Sequence, residues 1–188
     1  MKTEFFLEAT KKATEIGYGK NKSLKGKKIM VEYTDPNPFK EMHIGHLMSN
    51  TIGESLARLF EASGAEVKRA NYQGDVGLHV AKSVWGMQAL KMKLDDLRGV
   101  SLQQRQKFMG QAYAHGATKY ETDEIAKSEM NVMNEQIYKR TNEQINVLYD
   151  IGRKWSLEYF ETIYQRLGTK FDEYFFESEA GQVGLLVV

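Results

Sequence analysis

The chain has 188 residues, 41% apolar and 27% charged, with 26 Lys and Arg against 25 Asp and Glu and no Cys. That composition is ordinary for a globular domain and excludes a disordered tail, a collagen-like rod, a disulfide scaffold and a thiolate zinc site. No apolar run approaches the roughly 20 residues that span a bilayer, and no secretory signal opens the chain, so the cytoplasm is the expected compartment and no membrane a partner. The net charge of +1 hides an asymmetry, because residues 1–94 hold 15 basic and 10 acidic side chains whereas residues 95–188 hold 11 and 15. The Lys-rich start reads either as a solvated face or as attraction for a polyanion such as nucleotide or RNA.

In chain order, residues 4–17 have helical apolar spacing that ends at Gly17, and a Gly- and Lys-rich linker follows. Ile29-Met30-Val31-Glu32-Tyr33 is β-prone and is stopped by Asp35-Pro36-Asn37-Pro38, a stiff, extended connection. Ile44, Leu47, Met48, Ile52, Leu56, Leu59 and Phe60 then repeat as in a long helix closed by Gly64. Residues 66–72 read as a second strand. A second helix is expected from about Asp75, its N-cap or else a substrate-positioning group, turning Val76, Val80, Val84, Met87 and Leu94 inward. Strand, helix, strand, helix is the grammar of a parallel sheet.

From residue 100 the pattern changes to three helices, near 101–120, 123–139 and 141–167, in which Met130 and Met133 read as packing. Residues 171–176 return to a strand. The spacing therefore predicts an α/β chain: a basic N-terminal helix and linker (1–28), the first half of a Rossmann-like parallel sheet (29–98), a mainly helical insertion (99–168) and a returning strand segment (169–188). A parallel sheet normally has more strands and both faces covered, so the apolar ending at 185–188 suggests a fragment.

The chemistry concentrates between the first strand and the long helix, where Lys40-Glu41-Met42-His43-Ile44-Gly45-His46 stands at a helix start. Backbone N–H groups and the positive helix end favour anions there. Two imidazoles three residues apart can converge on one phosphate, Gly45 leaves room for a flat ring, and Lys40 adds a point charge. This is a site for stabilising charge on a phosphate oxygen by preorganised donors. Zinc is the competing reading of a His pair, but no third ligand stands at suitable spacing, so no protein metal site is expected. His115 is expected to face solvent.

His43-Ile44-Gly45-His46 resembles the signature tetrapeptide of class I aminoacyl-tRNA synthetases. With Val31-Glu32-Tyr33-Thr34-Asp35-Pro36-Asn37 and Arg69-Ala70-Asn71-Tyr72-Gln73-Gly74-Asp75-Val76-Gly77, the chain resembles the arginyl-tRNA synthetases over residues 29–86. Asp35, Val76 and His79 depart from residues more frequent in that family. The resemblance implies ATP-dependent activation of L-arginine and transfer to tRNA(Arg), with Mg²⁺ on the phosphates and a monomeric full-length enzyme. It implies that His43, His46 and Lys40 hold the ATP phosphates and the transition state, and that Gly45 lies against adenine. Glu32, Asp35 and Asn37 would bind arginine. A carboxylate suits a guanidinium, although Glu32 also reads as an outward strand charge and Asn37 as a turn residue. The isolated chain would be incomplete and inactive. Another nucleotidyltransferase with the same loop, or an inactive nucleotide- or RNA-binding module, is the alternative.

Overall fold

The computed structural model describes residues 3–91 and 99–184. Leu94, part of the 75–94 helix expectation, and the apolar ending at 185–188 lie outside the described residues. The elements run α1 (Thr3–Ala13), β1 (Lys28–Glu32), α2 (Ile44–Ala62), β2 (Glu66–Gln73), α3 (Leu78–Ala89), α4 (Leu102–Thr122), α5 (Glu124–Lys139), α6 (Glu143–Leu167), β3 (Glu173–Phe176) and α7 (Glu177–Gly184). The chain is α/β, with the strands parallel in the order β1-β2-β3.

Register places Met30 opposite Lys68, Asn71 opposite Tyr174 and Tyr72 opposite Phe175. The side chains then sort by face. Arg69 reaches Glu54 and Glu61 on α2, and Tyr174 reaches Glu161 on α6, so both crossovers cover one face. Right-handed connections that advance in one direction give this result. The opposite face carries the ion pairs Lys28–Glu66 and Lys68–Glu173.

The three expected helices of the insertion are present, and each has a side-chain cap: Ser101 in a capping box with Gln104, Asp123, and Asn142. Their core joins Val80, Val84 and Met87 of α3 to Met109, Met133, Ile137 and Trp155. α3 and α4 touch backbone to backbone. A Cβ on Gly86 would lie 1.9 Å from the Ala112 carbonyl oxygen, and one on Gly116 would lie 2.0 Å from that of Lys82.

Three expectations need correction. The first helix stops at Ala13, short of Gly17, and buries none of its residues, so no burial of its apolar side chains holds a further turn in place. α3 begins at Leu78 with Gly77 at its N-cap, at φ 115° and without a side-chain cap, so Asp75 does not cap α3. His115 is half-buried and stacks on Trp85, with ring centroids 5.7 Å apart, instead of facing solvent.

Candidate active site

The connection from β1 to α2 is held in a costly shape. Thr34, Asp35 and Phe39 all have positive φ (77°, 45° and 69°), a conformation that non-glycine residues seldom adopt and that clusters at functional sites. Surrounding contacts enforce it. The Thr34 N–H donates to Ser49 Oγ at 3.0 Å, and Asn50 Nδ2 donates to Thr34 Oγ1 at 2.9 Å. The Tyr72 N–H donates to Asp35 Oδ1 at 2.8 Å, and the Phe39 N–H to Ser156 Oγ at 2.8 Å. The Phe39 ring is fully buried, stacked on Tyr149 and seated over Gly152, where a Cβ would come within 2.2 Å of it.

Beyond this anchor, Lys40 turns toward the insertion. Its Nζ sits 4.9 Å from the centre of the Tyr113 ring on α4, and its carbonyl accepts from Gln106 Nε2. His43 is the N-cap of α2 and His46 its third residue. His43 Nδ1 accepts the Gly45 N–H at 3.1 Å, and His46 Nδ1 accepts the His43 N–H at 3.2 Å, forming a capping box made of two imidazoles. A neutral ring that accepts at Nδ1 carries its proton on Nε2. The rings lie 4.0 Å apart and border a cavity of about 260 Å³ with Met42, Leu47, Tyr159 and Ile163. The amides expected to stand open for an anion are therefore partly engaged by the histidines themselves. Gly45 serves that arrangement, since a Cβ there would meet His43 Cε1 at 2.9 Å.

Burial, then the neighbouring His43 and Lys40 charges, hold the His46 imidazole below its ordinary value of 6.5. Burial does the same to His79, whose Nε2–H donates to the Gly74 carbonyl at 2.9 Å. A histidine depressed in the folded state contributes stability above pH 6.5, which is lost as pH falls through 6.5 toward the folded value. The melting temperature should therefore drop between pH 7 and 5.5, and drop less in His46→Asn and His79→Asn. Superimposable pH profiles for parent and variants would contradict that assignment.

The other residues singled out in the sequence gather where β1 and β2 end. Glu32 is exposed at the last position of β1, and Asn37 Oδ1 rests against Gly74, where a Cβ would fall 2.5 Å from it. Asn37 makes no side-chain hydrogen bond to another described residue. Asp35 is half-buried, and burial raises its carboxyl above the usual range, with the Glu32 charge adding to the effect. The structure thus brings Glu32, Asp35 and Asn37 to one edge and His43, Gly45 and His46 to the start of α2.

One residue at this edge, Glu177, escaped the sequence, and another, Asp75, was expected there as an N-cap or a substrate-positioning group. Glu177 follows β3 and brings Oε2 to 3.2 Å from the same vacant Cβ position of Gly74. Asp75 is fully buried and accepts from Tyr149 Oη, Arg153 Nε, and both the N–H and Oγ of Ser178. No spacing rule pairs positions 37, 75 and 177; the only available signal was that each follows a strand of a parallel sheet, where such sheets place their ligands.

A family profile described as "tRNA synthetases class I (R), catalytic domain" matches residues 11–181. The chain belongs to the arginyl-tRNA synthetase family. Over 164 residues it is 33% identical to an arginine–tRNA ligase of Treponema denticola, covering 86% of this chain and 27% of that protein. Over 187 residues it is 30% identical to one from Borrelia hermsii, covering 98% and 32%. The fold resembles that of the Thermus thermophilus arginyl-tRNA synthetase with a TM-score of 0.66 and 22% identity, over 100% of this chain and 29% of that one. It also resembles the Plasmodium falciparum enzyme, with a TM-score of 0.55 and 23% identity, over 86% and 25%. The chain therefore spans about a third or less of the length of these relatives. No helix among the described residues is long and apolar enough to cross a membrane.

Proposed function

We propose that this chain supplies the first half of an arginine-activating site, in a ligase that joins L-arginine to tRNA(Arg) at the expense of ATP. The observation that carries the reading is the pair of imidazoles at the start of α2, each with an Nε2–H that has no hydrogen-bond partner among the described residues, beside a sheet edge bearing Glu32 and Asn37. In this reading His43 and His46 donate to the ATP phosphates, Lys40 adds positive charge, and Gly45 lies against adenine once the His43 ring turns away. Glu32 takes the arginine guanidinium, and Asn37 and the free oxygen of Asp35 its amino-acid end. The arginine carboxylate attacks the α-phosphate in line, pyrophosphate leaves, and the chain's task is to orient the reactants and stabilise the added negative charge. Mg²⁺ arrives with the nucleotide. Among the described residues, no group of three or more His, Asp or Glu is placed to hold a metal.

The same reading divides the chain into an N-terminal helix and basic linker (1–28), half a nucleotide fold (29–98), an inserted helical part (99–168) and a returning strand (169–188). It makes the full-length enzyme a cytoplasmic monomer, and the isolated chain an ATP binder without turnover.

Isothermal calorimetry with ATP tests the site directly. The chain should give a saturable heat that His43→Ala/His46→Ala abolishes. An anion also stabilises protonated His46, so near pH 6 binding should take up a proton and its heat should depend on the buffer's ionisation enthalpy. Equal heats for parent and double variant would remove the ATP site. Once the site is completed by its missing half, pyrophosphate exchange that does not depend on arginine would favour another nucleotidyltransferase.

A further inference from the structure

The segment that joins Phe39 to His43 is held from the side by the helical insertion. Gln106, Gly110 and Tyr113 stand four and three residues apart on α4, so one face of that helix presents all three. Gln106 is buried and donates from Nε2 to the Lys40 carbonyl at 3.2 Å. A Cβ on Gly110 would come within 3.2 Å of Glu41 Oε1, so the bare backbone there lets residue 41 lie close. The half-buried Tyr113 ring then faces the Lys40 ammonium, 4.9 Å from the nitrogen to the ring centre.

Lys40 differs from the other lysines that stand over a ring. Lys82 and Lys127 lie 3.9 Å and 5.9 Å from the centre of the Tyr120 ring, but each also pairs with a carboxylate, Glu121 and Glu124 respectively. Lys40 makes no ion pair with a described residue, so the ring steadies its charge without neutralising it. An ammonium over an aromatic face at an exposed site gains about two- to fivefold in equilibrium population. A lysine steadied in this way also loses less side-chain freedom when it engages an anion. Its charge is felt at the site already. After burial, it helps to hold both His46 and His79 below 6.5.

We propose that Tyr113 is a positioning residue for nucleotide binding, through which the helical insertion aims the Lys40 ammonium at the phosphates of ATP. This rests on the reading under Proposed function, in which Lys40 and the imidazole pair bind those phosphates. Gln106 fixes the backbone of the same lysine and Gly110 leaves room for its neighbour, so a single face of α4 sets where the charge stands. The competing account makes Tyr113 one more ring that supports the fold.

A double-mutant cycle separates the two, with ATP dissociation constants read by calorimetry. Tyr113→Leu should weaken ATP binding about two- to fivefold and have no further effect in a Lys40→Met background. Tyr113→Phe should bind ATP like the parent, because among the described residues nothing bonds the Tyr113 hydroxyl. Should Tyr113→Leu fail to fold, trifluorophenylalanine at position 113 keeps the shape of Phe and weakens only the negative face of the ring, and ATP should then bind more weakly than in Tyr113→Phe. Equal losses from Tyr113→Leu in both backgrounds, no loss at all, or no difference between the two phenylalanines would overturn the proposal. An ATP heat indifferent to His43→Ala/His46→Ala would fault the functional reading. A heat that those substitutions abolish, but on which residues 40 and 113 act independently, would fault only this proposal.

Discussion

Replacing Asp75 by Ala should lower the unfolding free energy by about 3–5 kcal/mol, the usual result of removing one partner from a buried, hydrogen-bonded ion pair. The carboxylate is fully buried and takes bonds from Tyr149 at 3.2 Å, Arg153 at 2.8 Å and Ser178 twice at 2.8 Å. It thus ties the end of β2 to α6 and to the start of α7. Without it, the Arg153 guanidinium keeps the face of the Phe176 ring and the more distant carboxylate of Glu179, at 3.8 Å. Asp75→Asn should lose less, because the amide oxygen can still accept from Ser178 while its NH₂ faces Arg153. Urea unfolding monitored by circular dichroism checks both, and an Ala variant within about 0.5 kcal/mol of the parent, the range of surface substitutions, would show that the cluster holds nothing together.

Truncation of Phe39 to Ala should cost a similar amount, about 3–5 kcal/mol, for loss of a buried aromatic ring and the cavity left against Tyr149 and Gly152. The new residue would also inherit a φ of 69° without the packing that enforces it. The loop between β1 and α2 should loosen, and the ATP heat should fall although residue 39 lies outside the proposed nucleotide contacts. Phe39→Leu, which fills part of the cavity, should recover part of both quantities. A stability loss with an undiminished ATP heat would separate the anchor from the site.

Why these residues were hard to foresee follows from how they act. The order and type of the elements through β3 were legible because they depend on local properties, whereas α7 stands at Glu177–Gly184, within the segment expected as a returning strand. Ser101, Asp123 and Asn142 stand where capping residues belong, and residues 29–33 and 66–72 announce strands by β-prone composition. The imidazole pair was legible for the same reason, as three residues on one helical turn. Asp75 misled because an Asp before a helical run is the ordinary mark of an N-cap, and only partners more than 70 residues away could reassign it. The direction of α2 was not legible at all. Apolar spacing defines a stripe but not what lies opposite it, and here Glu54, held by Arg58, Arg69 and Tyr33, faces inward in its place. The contact of Asn37 and Glu177 with Gly74 is tertiary, and the sequence carries no local trace of it.

The two imidazoles that cap their own helix give the resting loop a built-in competitor. Any incoming anion must first exchange with a ring nitrogen already bonded to the Gly45 amide, a swap of one acceptor for another that yields little to a lone monoanion. A ligand presenting several linked oxyanions engages both rings and the uncovered amide together, so the self-capped turn acts as a threshold that favours triphosphates over the free phosphate and chloride abundant in a cell.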